Sequence, residues 1–142
     1  MLPQLIIFSL LGLTSLLRLD SELTPVPPGP HLFFLAPHFS FGTIAPGAVV
    51  RHTFEFRNTG SLPLVISAIG SSCGCTTPSW TKTPVAPGRT GQISVTFNSV
   101  GKNGVQNRIL TVESNSSTGP AVLSLLGEVG TPAQAATNPA GH

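Results

Sequence analysis

The sequence predicts an all-β domain, a sandwich of about seven antiparallel strands, and three observations carry that prediction. Composition is the first. Thr, Val, Ile, Phe, Ser and Gly abound, with 15 Gly, 14 Pro and no Tyr, while only 8% of residues are charged, far below the roughly 25% usual in soluble domains. These residue types suit a pleated, half-buried surface joined by many turns. The second observation is short runs in which apolar and polar residues alternate, the period of a strand with one buried face. The third is punctuation: clusters of Gly, Pro and Asn separate the runs, and no helical periodicity extends over ten residues after Leu19.

The chain opens with LIIFSLLGLTSLL, Leu5 to Leu17, which holds no charge. It is short for a bilayer span and suits the apolar region of a signal peptide. Residues 1–20 therefore read as a signal peptide or hydrophobic leader. Export to the periplasm or the exterior is expected, or membrane anchoring if the leader is retained, with no span after it is removed. No Cys lies near the end of the run, which argues against the usual lipoprotein anchor. Residues 21–31 contain ELTPVPPGP, a Pro-rich linker. Residues 130–142, GTPAQAATNPAGH, lack large apolar side chains and read as a disordered tail.

Residues 32–129 hold the folded domain. Leu32–Leu35 is a short first strand. HFSFGTI, His38–Ile44, places Phe39 and Phe41 on one face. AVVRHTFEFRN, Ala48–Asn58, puts Val50, His52, Phe54 and Phe56 inward and Arg51, Thr53, Glu55 and Arg57 outward. Leu64–Ile69 is a shorter apolar run. GQISVTFN, Gly91–Asn98, turns Ile93, Val95 and Phe97 inward. Val105–Ser114 contributes Leu110 and Val112, and Ala121–Val129 contributes Leu123, Leu125 and Val129. Asn58-Thr59-Gly60, Ala86-Pro87-Gly88, Gly101–Gly104 and Ser114–Pro120 supply the turns. Two sheets packed face to face bury these faces; a closed barrel is the competing architecture.

Charge excludes several functions. Net charge is +2 and the basic residues are scattered, so no nucleic-acid surface is expected. After Glu22 there is no Asp, and Glu55, Glu113 and Glu128 are the only carboxylates. Paired-carboxylate catalysis, calcium loops and a Ser-His-Asp triad lack their residues. Nucleophile-elbow, phosphate-loop and His-Glu-x-x-His motifs do not occur. Glu55 reads as a cross-strand ion partner on a solvated face, and Asn115-Ser116-Ser117 as a turn. The chain reads as non-enzymatic.

The segment SSCGCTTPSW, Ser71–Trp80, contains both cysteines. In an extended strand Cys73 and Cys75 share a side, with Cα atoms about 6.6 Å apart at a rise of roughly 3.3 Å per residue. A disulfide prefers about 5.5–6 Å, and Gly74 permits the bend that closes the gap. Such a bond closes almost no loop, stabilises little and is readily reduced. Three states stay open: a disulfide or redox-active pair, two half-buried thiols, or a copper or zinc site in which His52, and more remotely His38, adds nitrogen. Cys-x-Cys is a weak metal signal beside Cys-x₂-Cys, and a His in line with inward phenylalanines is ordinarily a packed core residue. No cofactor is expected outside the copper or zinc alternative. Trp80 is expected to cap the sandwich end and shield the sulfur atoms.

The succession HFSFGTI, G-x-V-V-x-H-x-F-x-F-x-N-T-G, SSCGCTTPSW, PVAPGRTGQISVTF and L-x-L-x-G-x-V resembles the bacterial domain of unknown function family 1573 over about Pro37–Val129. The resemblance implies an immunoglobulin-like sandwich, similar to PapD-like, abnormal-spindle and hydin-type domains, and an exported protein; it implies no reaction. Phe41, Gly42, Phe54, Phe56, Asn58, Gly60, Cys73, Gly74, Cys75, Thr76, Pro87 and Gly88 match its pattern. The expected function is an exported interaction module of the cell envelope with an unknown protein partner, docking at a sheet edge. The alternative is thiol redox or copper/zinc binding at Cys73 and Cys75.

Overall fold

A computed structural model describes residues 25–130; the leader, residues 21–24 of the linker and residues 131–142 of the tail lie outside them. Alternation in the sequence becomes alternation in burial. Along β6 (Thr90–Asn98), Gly91, Ile93, Val95 and Phe97 are buried, while Gln92 and Ser94 face solvent. In β3 (Val49–Asn58), Phe54, Phe56 and Asn58 are buried and Arg51, Thr53, Glu55 and Arg57 are exposed. The other strands are β1 (Leu32–Phe34), β2 (His38–Ile44), β4 (Ile66–Ser71), β5 (Thr76–Trp80), β7 (Gly104–Ser114) and β8 (Ala121–Val129).

The strands form two four-stranded sheets, ordered β1-β3-β6-β5 and β2-β8-β7-β4. Between them lies one core containing Phe54, Phe56, Ile93, Val95 and Phe97 from the first sheet and Leu110, Val112, Leu123, Leu125 and Val129 from the second. Burying each such side chain contributes about 1.5–3 kcal/mol, which offsets the entropy of ordering the chain. The architecture is the expected all-β sandwich. It has eight strands where the pattern suggested about seven.

The additional strand is β5, Thr76–Trp80. Its sequence, TTPSW, lacks apolar alternation and contains Pro78, which has no N–H for a ladder. Pro78 is tolerated because β5 is an edge strand, paired only with β6. The fourth strand is displaced: Leu64 makes an isolated bridge to Val85, and the ladder to β7 runs from Ile66 to Ser71 with a register shift between Ile66 and Ala68.

Not every pair is antiparallel. β2 runs parallel to β8, because the chain leaves the first sheet after Phe34 and crosses at Leu35–Pro37 to enter the second. The register slips between Ser40 and Gly42, and Gly42 takes a positive φ of 68° there, a conformation glycine adopts without steric cost. Phe41, at the slip, lies over Gly127 of β8, where any Cβ would overlap its ring.

Candidate functional site

Cys73 and Cys75 sit in the crossover between the sheets, between β4 and β5. They are bonded to each other, with Cα atoms 5.3 Å apart. The segment is a turn rather than an extended strand, so the bend is already made. Gly74 has no positive φ, and a Cβ built on it would meet nothing within 4 Å. Its backbone therefore does not demand glycine; what glycine provides is an uncovered approach. Closing so short a ring stabilises the fold by only about 1.5 kcal/mol in the chain-entropy account.

Hydrogen bonds hold this crossover independently of the sulfur bond. The Ser71 hydroxyl donates to the Cys73 carbonyl at 2.6 Å. Ser72 N–H donates to the Ile109 carbonyl of β7 at 2.9 Å, and Ile109 N–H returns to the Ser72 hydroxyl at 3.2 Å. On the other sheet, Asn98 N–H of β6 donates to the Cys75 carbonyl at 2.9 Å. The buried Thr76 places its hydroxyl 3.7 Å from Cys73 Sγ and 4.0 Å from Cys75 Sγ.

Trp80 does not shield the sulfur atoms; it stands at the opposite end of β5 from Cys75 because the intervening residues are extended. Its indole N–H reaches across to the Ile66 carbonyl of β4 at 3.3 Å, and the Lys82 ammonium lies 3.1 Å above its ring. The β4/β5 side of the sandwich is thus closed at both ends.

The histidines do not join the cysteines. His52 stacks on Phe39 at a centroid distance of 3.7 Å and meets Phe54 edge-on at 4.6 Å. It pairs with Val95, so β6 stands between it and β5. Burial lowers its pKa from the ordinary 6.5. His38 hydrogen-bonds the Ser124 hydroxyl through Nδ1 at 2.6 Å. Among the described residues no three His, Cys, Asp or Glu side chains are grouped to hold a metal. Glu55 faces Gln92 across the ladder, so β6 offers it no cation. The amide of Asn115 is committed to Val65 N–H and the Pro63 carbonyl, the work of a turn residue.

The opposite side of the sandwich is open. β1 covers only the end of β3, its ladder stopping at Phe34↔Phe56. In an antiparallel strand the backbone groups of successive residues point alternately to the two sides. Asn58 bonds toward the β6 side, where its N–H meets the Arg89 carbonyl, so the even-numbered residues face β6. Arg51 and Thr53 therefore direct their N–H and C=O away from β6, as Glu55 directs its N–H, and no strand among the described residues pairs with these groups; the Glu55 C=O closes the last rung of the β1 ladder. Beside this edge runs a groove of about 460 Å³ bordered by Phe33, Leu35, Ala36, His52 and Glu55. Leu35 is 87% exposed and Phe33 45%. Sequence reading gave the strand but not its free edge, since the length of a neighbouring strand is a tertiary property.

A family model described as a protein of unknown function (DUF1573) matches residues 32–129. The chain belongs to the DUF1573 family. Among curated proteins no significant match is found. Among solved structures, a protein of unknown function from Porphyromonas gingivalis W83 superposes with a TM-score of 0.63 at 13% identity, over 77% of this chain and 51% of that one. This chain thus spans about half the length of that protein. The ASH/PapD-like domain 7 of human CEP192 gives 0.59 at 15% identity, over 75% and 90%. SSP-19, an MSP-domain protein like family member of Caenorhabditis elegans, gives 0.50 at 16%, over 65% and 94%. These likenesses establish the immunoglobulin-like fold.

In this DUF1573 domain most of the residues singled out by resemblance have structural tasks. Ala86-Pro87-Gly88-Arg89 is a tight turn with Arg89 N–H on the Ala86 carbonyl at 3.0 Å. Gly88 there has φ 77°, which fits a type II turn. Asn58 is completely buried. Its Oδ1 accepts from His31 N–H at 3.2 Å and Gly60 N–H at 3.0 Å; its Nδ2 donates to Leu62 and Val85 carbonyls at 2.7 and 2.9 Å. Gly60 packs so closely on Gly29–His31 that a Cβ would strike their backbone. The last residues of the Pro-rich linker are thereby tied into the fold.

Proposed function

We propose that this chain is an exported, non-enzymatic module of the cell envelope that binds an extended segment of another protein by strand addition to β3. The row of unpaired backbone groups at Arg51, Thr53 and the Glu55 N–H, beside an apolar groove, carries the reading. An incoming strand would continue the line of β1 and satisfy those groups, its inward residues meeting the Leu35, Ala36 and His52 surface. Affinity would come from the main chain and selectivity from alternate side chains. The apolar leader and a cysteine pair bonded to itself are the features that fit an oxidising compartment.

Thr53→Pro tests this. It removes an N–H that points to the open edge and leaves the backbone bonds to β6 in place, at the loss of the exposed hydroxyl contact of Thr53 with Ser94. Hydrogen exchange on the protein incubated with envelope extract should show Arg51, Thr53 and Glu55 amides protected in the wild type, and no partner-dependent protection of Arg51 and Glu55 in the variant. Protection that persists in Thr53→Pro would reject strand addition at this edge.

A further inference from the structure

We infer that Cys73–Cys75 is a thiol–disulfide exchange site whose substrates are thiols, attacked at Cys73. The inference does not rest on the docking reading, since the sulfur atoms lie on the β4/β5 side of the sandwich, away from the free edge of β3.

Four observations converge. The fold does not depend on the bond: the ring spans a sequence separation of 2, and Ser72–Ile109 and Asn98–Cys75 backbone bonds anchor the crossover on both sheets. Either redox state therefore keeps the same frame. The two sulfur atoms also differ. Both are half-buried, but Cys75 packs against the core cluster and Cys73 does not, and the space beside exposed Gly74 is open, which favours attack on Cys73. A hydroxyl is in place, since Thr76 Oγ1 lies within 3.7 and 4.0 Å of the two sulfur atoms and can donate to whichever becomes a thiolate.

A cation completes the set. Ser71 partners Leu110 and Ser72 bonds Ile109, so the crossover leaves β7 at Ile109, and Arg108 is the next residue along that strand. The Arg108 guanidinium lies over Phe97 at 5.4 Å, and Phe97 is the cross-strand partner of Thr76. One of its terminal nitrogens donates to Gln106, while its buried Nε has no partner. A guanidinium with an unsatisfied N–H at this end of the core has no carboxylate partner among the described residues, and a thiolate at the neighbouring crossover would supply an anion. Positive charge of this kind favours the thiolate over the thiol.

In the first step a substrate thiol loses its proton to solvent, and its sulfur bonds to Cys73 Sγ. The Cys73–Cys75 bond breaks, and its electron pair leaves on Cys75 as a thiolate held by Thr76. A second substrate thiolate then attacks the sulfur of the first, expelling Cys73. Two thiols become one substrate disulfide, and two electrons and two protons pass to the cysteine pair.

The test uses the folded wild-type protein with glutathione as probe. The native bond should open to a glutathione adduct that peptide mass mapping places on Cys73. In the fully reduced protein, iodoacetamide alkylation should titrate at least one pH unit below the usual thiol value of about 8.5. Arg108→Gln and Thr76→Val should each raise that midpoint by half a unit or more with an unchanged circular dichroism spectrum. A midpoint at or above the usual value, midpoints unmoved by both substitutions, an adduct on Cys75, or no adduct would overturn the assignment. Should Arg108→Gln fail to fold, the wild-type midpoint and Thr76→Val decide it.

Discussion

Removing the amide of Asn58 is the sharpest test of how the domain is held together. The side chain is 0% exposed and joins three segments: the linker at His31, the turn at Gly60 and Leu62, and the loop at Val85. In Asn58→Ala the Val85 carbonyl keeps the Leu64 N–H at 2.9 Å, and the carbonyl of exposed Leu62 can turn to water. The His31 and Gly60 N–H groups lose their acceptor, and Gly60 is buried. An orphaned buried donor costs about 1–3 kcal/mol, so the pair gives about 3 kcal/mol. For a domain of about 100 residues that lowers Tm by about 10–25 °C. Asn58→Asp should be worse, because it keeps the acceptor but sets a carboxylate against two carbonyls. Exposed Asn107→Ala serves as control, within about 0.5 kcal/mol. Urea and thermal unfolding measure all three. A Tm loss under 3 °C in Asn58→Ala, or an Asn58→Asp as stable as wild type, refutes the hub.

Two further outcomes follow from packing and burial. Burial lowers the His52 pKa from 6.5, so on acidification the unfolded chain binds the proton first. Its contribution is complete above the unfolded value and is lost as pH falls from about 6.5 through the lower folded one. His52→Phe should flatten the fall in Tm between pH 7.5 and 5; an unchanged slope would assign that fall to other groups. A Cβ at Gly127 overlaps the Phe41 ring, so Gly127→Ala should cost about 1–3 kcal/mol by overpacking. Adding Phe41→Ala should lose less than the sum of the single losses in urea unfolding, whereas Gly74→Ala, with open space around it, should stay within about 0.5 kcal/mol. Additive losses, or a costly Gly74→Ala, would disprove this account of the glycines.

How much was legible depended on whether the signal was local. Inward phenylalanines at Phe54, Phe56 and Phe97 declare themselves by period two, and the turn at Pro87-Gly88 by its chemistry, so the sheets' main strands could be placed. β5 could not, because an edge strand carrying Pro78 has little pattern to show. Parallel pairing of β2 with β8 arises from a crossover that no residue type specifies. Asn58 and Gly60 read as turn formers; their larger task, anchoring Gly29–His31, depends on a segment about thirty residues upstream in sequence. His52 was correctly placed among the phenylalanines, but period two cannot tell which of two edges a strand borders, and that kept it apart from the cysteines.

The two lateral sides of the sandwich differ in a way that bears on function. Where β4 and β5 meet, the crossover and the indole of Trp80 tie one sheet to the other, and the bonds from Ser72 and Cys75 hold each end of the crossover to its own sheet. An incoming strand there would meet the crossover and the Trp80–Ile66 bond. Where β3 meets β2, the first sheet ends on a three-residue β1 and the contact between sheets is a ring stack of Phe39 on His52. A long bare edge is ordinarily guarded by charge or by a short covering strand. Here β1 covers three positions, while Arg51 and Glu55 present opposite charges on the exposed face. Mixed charge of that kind discourages indiscriminate pairing yet admits a segment with the complementary order. The proposed thiol exchange on the β4/β5 side and the proposed strand capture at β3 would therefore not compete for the same surface.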